Sequence, residues 1–318
     1  MVSISGRLLR AFLRRFQNIN AKKNPDVIQK IKYYNEDPPK INEKRGYKLT
    51  FNETPNKSKY LSLKKENVEP KHMIFYVHGG AYILSLTKLY EKIAYFFCDL
   101  SDDIEVILPN YSQAPEFKYP TQLNEVVDIW HEVTKIIDPD NIIVGGDSSG
   151  GNASLALIQK IKSEGSKLPK GGIFLSPWTD MTCSGESYIK NYQIDPILGD
   201  ENGQLTKEDI VKDADIGTFC FIGDADRKDP YLSPAFGDYT TFPKSLFIVG
   251  GDEMLLDDTL IIVNKLKENN NDVELDCKEG MFHIFPIYSN LIPESRDSYN
   301  KMKKFVQETF YNNKENNA

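Results

Sequence analysis

From residue 46 onward, short apolar runs alternate with longer helical stretches, and this pattern constrains the fold most. Continuous β-branched and aromatic runs are typical of strands buried on both faces of a parallel sheet. The alternation therefore predicts an α/β fold, with a mostly parallel sheet of about eight strands covered by helices. The predicted strands are Tyr47–Phe51, Tyr60–Leu63, Met73–Val77, Glu105–Leu108, Ile142–Val144, Ile173–Leu175, Leu246–Val249 and Val273–Cys277. The predicted helices are Leu89–Leu100, Gln122–Ile137, Gly150–Ser163, Asp257–Glu268 and Glu294–Tyr311.

Three segments depart from this alternation. The first two strands follow each other without a helix, which predicts an antiparallel edge of the sheet. Residues 184–222 contain no convincing strand, and an insertion of this size between two strands is typical of a lid or cap. Within it, Thr206 followed by Lys-Glu-Asp predicts the start of a helix. The polar tail Asn312–Ala318 is predicted to be disordered.

The charge of the chain is distributed unevenly. Residues 1–50 hold 12 basic and 4 acidic residues and carry a charge of +8. Because the net charge of the chain is −7, residues 51–318 carry −15. The net charge argues against a general nucleic-acid partner. Near the N-terminus, apolar residues recur at helical spacing between arginines, which interrupt any secretory h-region. These residues are Leu8, Leu9, Phe12, Leu13 and Phe16, with Arg7, Arg10, Arg14 and Arg15.

The favoured interpretation of this N-terminal segment is a helix packed on the protein's own body. An organelle transit peptide and a membrane-surface helix stay open. Because no apolar run approaches the ~18 residues of a spanning helix, no stable membrane insertion is expected. Without a secretion signal, a cytoplasmic location is expected.

The cysteines Cys98, Cys183, Cys220 and Cys277 are widely and irregularly spaced, with no CxxC pair. This spacing argues against a disulfide framework and a structural zinc site, so reduced thiols are expected. No dinucleotide or P-loop signature is present. We therefore expect neither a metal nor a cofactor.

The strongest chemical signal is the motif GDSSG at residues 146–150. An apolar run precedes it and a helical pattern follows it, which predicts a serine on a tight strand-to-helix turn. Such a turn needs flanking glycines because neighbouring backbone crowds it. It would present the Ser148 hydroxyl at a helix N-terminus, where developing negative charge is favoured.

A second motif, HGGAY at residues 78–82, directly follows the strand Met73–Val77. Its glycines let backbone N–H groups point into a site. We predict that the N–H groups of Gly79 and Gly80, together with that of Ser149, form an oxyanion hole. His78 is expected to orient this loop rather than act as a base.

A nucleophilic serine needs a general base and a carboxylate that orients it. His283 is the only one of four histidines that lies C-terminal to Ser148, as the chain order of this type of site requires. Asp252, after the strand Leu246–Val249, is the predicted acid, and Glu253 is a weaker alternative. Asp257 and Asp258 are interpreted as the start of the next helix.

Together the motifs resemble the hormone-sensitive-lipase-like group of α/β-hydrolase esterases. In family order they are HGGAY (78–82), YSQAPEFKYP (111–120), GDSSGG (146–151), LSPWTDM (175–181), DPYLSPAFGD (229–238), GGDEMLLDD (250–258) and the histidine segment 280–285. The usual HGGG and GDSAG are altered here, at Ala81 and Ser149. Both substitutions keep the backbone N–H.

The resemblance implies an α/β-hydrolase fold with a helical cap, and a carboxylic-ester hydrolase acting on small ester substrates. The expected division is an N-terminal cap at residues 1–45, a catalytic domain at 46–183 and 223–318, and a cap insertion at 184–222. Tyr82, Trp178 and Phe285 are candidate walls of the substrate pocket. Amidase, formamidase and lactone-hydrolase activities, a non-catalytic receptor and a membrane-surface lipase stay open, as does the choice between monomer and homodimer.

Overall fold

Each predicted strand lies within an observed strand of the computed structural model. The structure describes residues 2–23, 41–204, 206, 209, 219–288 and 291–311. In the first helix, the side chains are described as far as Arg15. The strands are β1 Tyr47–Glu53, β2 Lys59–Lys65, β3 His72–Val77, β4 Ile104–Pro109, β5 Ile142–Asp147, β6 Gly171–Leu175, β7 Lys244–Gly250 and β8 Val273–Lys278.

The eight strands form a single sheet in the order β1-β2-β4-β3-β5-β6-β7-β8. The pairs β1–β2 and β2–β4 are antiparallel, and every other pair is parallel. The predicted antiparallel edge and the mostly parallel sheet are therefore confirmed. Parallel neighbours need crossover connections, and the helices between the strands provide them.

The helices are α1 Ile4–Lys23, α2 Glu91–Cys98, α3 Thr121–Val133, α4 Ser148–Ser163, α5 Ser187–Lys190, α6 Leu256–Glu268, α7 Phe285–Tyr288 and α8 Pro293–Tyr311. The five predicted helices correspond to α2, α3, α4, α6 and α8. Two of them are shorter than predicted. Residues 88–90 form a 3₁₀ turn before α2, and α3 ends at Val133, where the Thr134 hydroxyl donates back to the Trp130 carbonyl at 2.9 Å.

Both faces of the sheet are covered by apolar clusters. Successive strand residues alternate between them, as the pleat requires: Phe174 points to one side, and Ile173 and Leu175 to the other. The first cluster includes Trp130 of α3 and also residues of α4 and α6. The second includes Phe305 of α8 and residues of α2, with Leu9 and Leu13 of α1 packed against it. Helices therefore cover the sheet on both faces.

The parallel register brings the carboxyl ends of the central strands to one edge. Val77 of β3 pairs with Gly146 of β5, and Asp147 pairs with Leu175 of β6. Leu175 in turn pairs with Ile248 of β7. The residues that follow these strands meet at this edge, which is where α/β sheets place their sites.

Some expectations fall partly or wholly outside the described residues. The tail 312–318 lies outside them, and so do residues 24–40 and much of 205–218. In the insertion, Thr206 and Asp209 exchange hydrogen bonds in the manner of a helix N-cap. The division into a catalytic domain and two cap segments stays a prediction.

Candidate active site

Ser148 lies at the turn between β5 and α4, as predicted for the GDSSG motif. Its φ of 51° is in the left-handed region, which a non-glycine residue occupies at a cost. A Cβ on Gly146 would lie 2.5 Å from the Gly150 carbonyl oxygen, and one on Gly150 would lie 2.1 Å from that of Val77. Only glycine fits at these two positions, so the sequence of the motif follows from the tightness of the turn.

His283 is the residue that contacts the serine hydroxyl. Its Nε2 lies 3.0 Å from Ser148 Oγ, within hydrogen-bond reach for proton transfer. The imidazole is almost fully buried, with 2% of its surface exposed. The pairing predicted between the serine and the C-terminal histidine is present in the structure.

The carboxylate beside His283 differs from the sequence-based expectation. Glu253 Oε1, not an Asp252 oxygen, lies 3.3 Å from His283 Nδ1. The Asp252 carboxylate instead forms an ion pair with Arg10 of α1, at 2.6 Å. The two acids are neighbours in the turn after β7, and their side chains reach different partners. The weaker alternative from the sequence is therefore the one that the geometry favours.

Ser176 ties the acid to the histidine segment. Its hydroxyl donates to Glu253 Oε2 at 2.7 Å and accepts from the Ile284 N–H at 3.1 Å. Glu253 Oε2 also accepts from the Gly250 N–H at 2.8 Å. These bonds fix the Glu253 carboxylate in a fully buried place. Sequence reasoning missed Ser176, although its position directly after β6 is a signal that could have found it.

The environment of His283 favours its protonated form. Burial, the largest single influence, lowers the pKa of its imidazole. The hydrogen bond and charge of Glu253, joined by the charges of Asp195 and Asp147, outweigh it and raise the pKa above the ordinary value. The imidazolium that forms when His283 accepts a proton is thus stabilised by buried carboxylates.

The predicted oxyanion hole is changed at one position. The Gly79 N–H donates to Asp147 Oδ1 at 3.1 Å, so it is turned away from the serine. In the part of the chain that the structure describes, no acceptor is found for the N–H of Gly80 or Ala81. The Ser149 N–H belongs to the first turn of α4, where no intrahelical acceptor exists. Two of the three predicted donors, Gly80 and Ser149, thus keep N–H groups without an acceptor among the described residues, and Ala81 has a third.

Two residues of the elbow hold the glycine loop. Asp147 also accepts from the Tyr76 and Tyr90 hydroxyls, at 3.1 and 3.0 Å. Burial raises its pKa to about 6, although these hydrogen bonds lower it. The Ser149 hydroxyl accepts from the Tyr82 N–H at 3.3 Å. The serine that replaces the family's alanine therefore braces the loop.

His78 is fully buried within the loop and stacks on Tyr111, with ring centroids 4.3 Å apart. Its Nδ1 lies 2.8 Å from the Gly79 carbonyl oxygen. Burial lowers its pKa to about 4, so it is neutral near pH 7. Its contacts fit the loop-orienting role expected of it.

An aromatic cluster lies beside the nucleophile. The backbone N–H of Trp178 donates to the Ser148 carbonyl at 3.0 Å, which places Trp178 next to the strand-to-helix turn. Its ring contacts Phe219 and Phe221, with centroids 5.2 and 5.6 Å apart, and Tyr82 contacts Phe221 at 4.5 Å. Phe285 does not join this group, because it packs in the apolar cluster on the other face of the sheet. Phe219 and Phe221 come from the end of the predicted insertion and were not predicted.

The insertion also supports the acid. The Asn191 side chain donates to the Glu253 carbonyl at 2.7 Å, and Asp195 Oδ2 accepts from the Met254 N–H at 3.0 Å. Asp195 is itself almost fully buried, which raises its pKa. Both polar groups of the peptide that joins Glu253 to Met254 are thus held by Asn191 and Asp195.

Helix α1 packs on the outside of the loops that carry Glu253 and His283. Besides its ion pair with Asp252, Arg10 donates to the Gly280 carbonyl at 3.2 Å and to the Ile194 carbonyl at 2.9 Å. Arg14 donates to the same Ile194 carbonyl at 2.8 Å. One arginine therefore joins the acid loop, the histidine loop and the insertion.

The other two acidic residues that follow β7, Asp257 and Asp258, hold neighbouring backbone groups. Asp257 accepts from the Ser187 N–H at 2.8 Å, and Asp258 accepts from the N–H groups of Thr179 and Asp180. Both lie in the first turn of α6, as expected. Within the described ranges, no group of three or more His, Cys, Asp and Glu residues is arranged to hold a metal ion.

Comparison with known proteins agrees with the fold. The sequence profile of the α/β-hydrolase fold family matches residues 74–287. An esterase of Acinetobacter venetianus is 29% identical over 245 residues, which cover 76% of this chain and 77% of that protein. An acetyl-hydrolase of Streptomyces hygroscopicus is 25% identical over 226 residues, which cover 70% of this chain and 71% of that protein.

Solved structures share the architecture over most of the chain. EstE7, a hormone-sensitive-lipase homologue from a metagenome library, has a TM-score of 0.80 at 23% identity, covering 98% of this chain and 100% of its own. An esterase of the bacterial hormone-sensitive lipase family has a TM-score of 0.73 at 24% identity, covering 85% and 87%. The chain belongs to the α/β-hydrolase fold family, as its motifs indicate.

Proposed function

We propose that this carboxylic-ester hydrolase cleaves short- to medium-chain esters through an acyl-enzyme on Ser148. The observation that carries the proposal is the contact of 3.0 Å between Ser148 Oγ and His283 Nε2 at a strained strand-to-helix turn. Glu253 on the other imidazole nitrogen completes a nucleophile, a base and an orienting acid. The names of the relatives, esterase and acetyl-hydrolase, support the same class of substrate.

In the acylation step, Ser148 Oγ attacks the ester carbonyl while His283 Nε2 takes the hydroxyl proton. Glu253 holds the imidazole tautomer and stabilises the imidazolium. The negative charge moves to the carbonyl oxygen, which accepts hydrogen bonds from the N–H groups of Gly80, Ala81 and Ser149. Each important donor of this kind contributes about 3 kcal/mol to the transition state. The proton then passes from His283 to the leaving alcohol, and the acyl group stays on the serine.

In the deacylation step, His283 takes a proton from water, and the resulting nucleophile attacks the acyl carbonyl. Collapse of this second tetrahedral intermediate returns the proton to Ser148 and releases the carboxylic acid. The aromatic cluster of Tyr82, Trp178, Phe219 and Phe221 supports binding of an apolar group of the ester, because it lies next to the nucleophile. Tyr82 and Trp178 are the predicted pocket residues that this proposal keeps.

The test compares four variants on p-nitrophenyl acetate and butyrate. Ser148→Ala and His283→Ala are expected to lose about 10⁴-fold or more in kcat. Glu253→Gln keeps the shape of the acid and is expected to lose about 10⁴-fold, mostly in kcat, because the imidazolium loses its partner. Asp252→Asn is the matched control. It should stay within about fivefold, since a partly exposed ion pair contributes about 1 kcal/mol.

Circular dichroism and thermal melting would show that each variant is folded. Full activity of folded Ser148→Ala or His283→Ala would overturn the mechanism. A large loss in Asp252→Asn with an active Glu253→Gln would instead return the acid to the residue that the sequence favoured. An acyl series from C2 to C12 would then define the chain-length preference.

A further inference from the structure

The outward face of α1 is apolar. Residues along a helix are separated by about 100°, so Ile4, Leu8 and Phe12 follow one another along a single face. Their side chains are 72%, 66% and 62% exposed. The opposite face holds the buried Gly6 and the partly buried Leu9 and Leu13, together with Arg10 and Arg14. A surface helix ordinarily has the reverse arrangement on its solvent side.

The docked orientation of α1 is fixed by its inner face. The Ser3 hydroxyl donates to Glu294 at 2.8 Å, and Arg10 forms its ion pair with Asp252 at 2.6 Å. Leu9 and Leu13 pack against the apolar cluster beneath. Rotating the helix to bury its outer face would break these contacts. Among the described residues, this apolar face therefore stays directed away from the body of the protein.

This face differs from the other exposed apolar positions of the described chain. Ile136, Phe236 and Phe51 are also exposed, but they lie singly in separate parts of the fold. Single exposed hydrophobic residues are ordinary, whereas a contiguous strip indicates a docking surface for a protein or a membrane. The helix α1 is thus the part of the described surface with a strip of this kind.

The charge around the strip indicates which partner fits. Arg7 and Arg15 are exposed beside it. The first 25 residues contain six basic residues and no acidic one: Arg7, Arg10, Arg14, Arg15, Lys22 and Lys23. A second copy of α1 would bring the same cations together, which is unfavourable. A surface of anionic phospholipid headgroups complements them, and the long arginine side chains can reach headgroups while apolar neighbours insert.

We propose that α1 docks the protein on an anionic phospholipid surface. Ile4, Leu8 and Phe12 enter the boundary between headgroups and acyl chains, and Arg7 and Arg15 contact the phosphates. The helix lies in the plane of the interface, and no helix of the described residues is long and apolar enough to cross a membrane. Because α1 lies against the loops that follow β7 and β8, docking brings the end of the sheet with Ser148 to the bilayer.

This inference goes beyond ester hydrolysis and does not depend on it, so its test uses no substrate. The purified full chain is sedimented with sucrose-loaded vesicles of phosphatidylcholine alone, or mixed with phosphatidylglycerol, at low and high salt. Binding is expected with the anionic vesicles, and it should weaken in high salt because the charge term is screened. Neutral vesicles should bind the chain much more weakly.

Two matched pairs of variants separate the strip from general surface effects. Leu8→Asp should lower the partition coefficient about tenfold or more, because it places a charge in the apolar boundary. Ile136→Asp makes a similar change at a residue that is 78% exposed near the opposite end of the sheet, and should bind as the wild type does. The double variant Arg7→Gln/Arg15→Gln should lose about fivefold per charge, whereas Lys135→Gln/Lys267→Gln should not.

Three results would overturn the proposal. One is the absence of wild-type binding to anionic vesicles at low salt. Another is Leu8→Asp binding as tightly as Ile136→Asp. The third is a wild-type dimer, seen by light scattering, that Leu8→Asp converts to a monomer, since the strip would then serve self-association. Far-UV circular dichroism of every variant controls for folding, which these exposed positions should leave intact.

Discussion

At the residue scale, buried carboxylates determine the chemistry of His283. Glu253 contacts Nδ1 at 3.3 Å, and the charges of Asp195 and Asp147 also act on the imidazole. Their combined effect raises its pKa above the ordinary value of about 6.5. The insertion thus contributes to the base through Asp195 as well as to the position of the acid.

The pH dependence of kcat/KM should report this arrangement. His283 acts as a base only when neutral, so activity falls as the pH drops through its raised pKa. Asp195→Asn removes one of the charges that raise it, so the acid limb should move to lower pH. At pH 6 the variant should retain a larger fraction of its plateau activity than the wild type. Asp200→Asn, at an exposed position of the same segment, is the control.

Kinetics on p-nitrophenyl butyrate from pH 5 to 9 would measure the acid limb of the wild type and of each variant. An unchanged acid limb in Asp195→Asn, or a limb moved to higher pH, would show that this charge does not act on the base. A general loss of activity at every pH, without a moved limb, would indicate a structural role alone.

The acid shows how far sequence reasoning reaches at this scale. The serine and the histidine could be predicted because a motif and the chain order each left one candidate. Asp252 and Glu253 are adjacent after the same strand, and only the path of the turn decides which one faces the histidine. The N–H directions in the glycine loop, residues 78–82, could not be predicted from the sequence either. The direction of the Gly79 N–H depends on Asp147, which lies 68 residues away along the chain.

At the scale of elements, the close approach of α4 to β3 makes the elbow. A Cβ on Gly150 would lie 2.1 Å from the Val77 oxygen and 2.4 Å from the His78 oxygen. Both are backbone atoms, so neither can move aside without displacing the oxyanion loop. The strands themselves were predictable, because each is a buried apolar run. The ends of the helices were less predictable, since local hydrogen bonds such as that of the Thr134 hydroxyl determine where a helix ends.

Gly150→Ala should therefore destabilise the protein strongly, although alanine favours helix. We expect a loss of about 3 kcal/mol in the free energy of unfolding, at the upper end for overpacking. Gly165→Ala is the matched control. Among the described residues, and apart from its two chain neighbours, no heavy atom lies within 4 Å of its Cβ position, and its φ of 66° should cost about 1–2 kcal/mol. Urea unfolding would compare the two, and an equal or smaller loss in Gly150→Ala would contradict this account of the elbow.

At the scale of the whole molecule, the parallel sheet brings distant segments to one edge. The proposed nucleophile, acid and base follow β5, β7 and β8, and α1 reaches the loops after β7 and β8 through Arg10. The sequence pattern predicted this edge, because the motifs follow predicted strands. It could not predict how the N-terminal segment docks, since that depends on single contacts such as Arg10 with Asp252. The uneven charge of the chain agrees with a basic helix lying on an acidic body.

The most direct test of the central claim is covalent labelling of the native protein. A fluorophosphonate probe reacts with a serine only when its neighbours activate the hydroxyl and stabilise the oxyanion. Peptide mapping by mass spectrometry is expected to place one adduct on Ser148 in the wild type. It should find none in Ser148→Ala and much slower labelling in His283→Ala. A folded wild-type protein without an adduct, or with the adduct on another residue, would contradict the account.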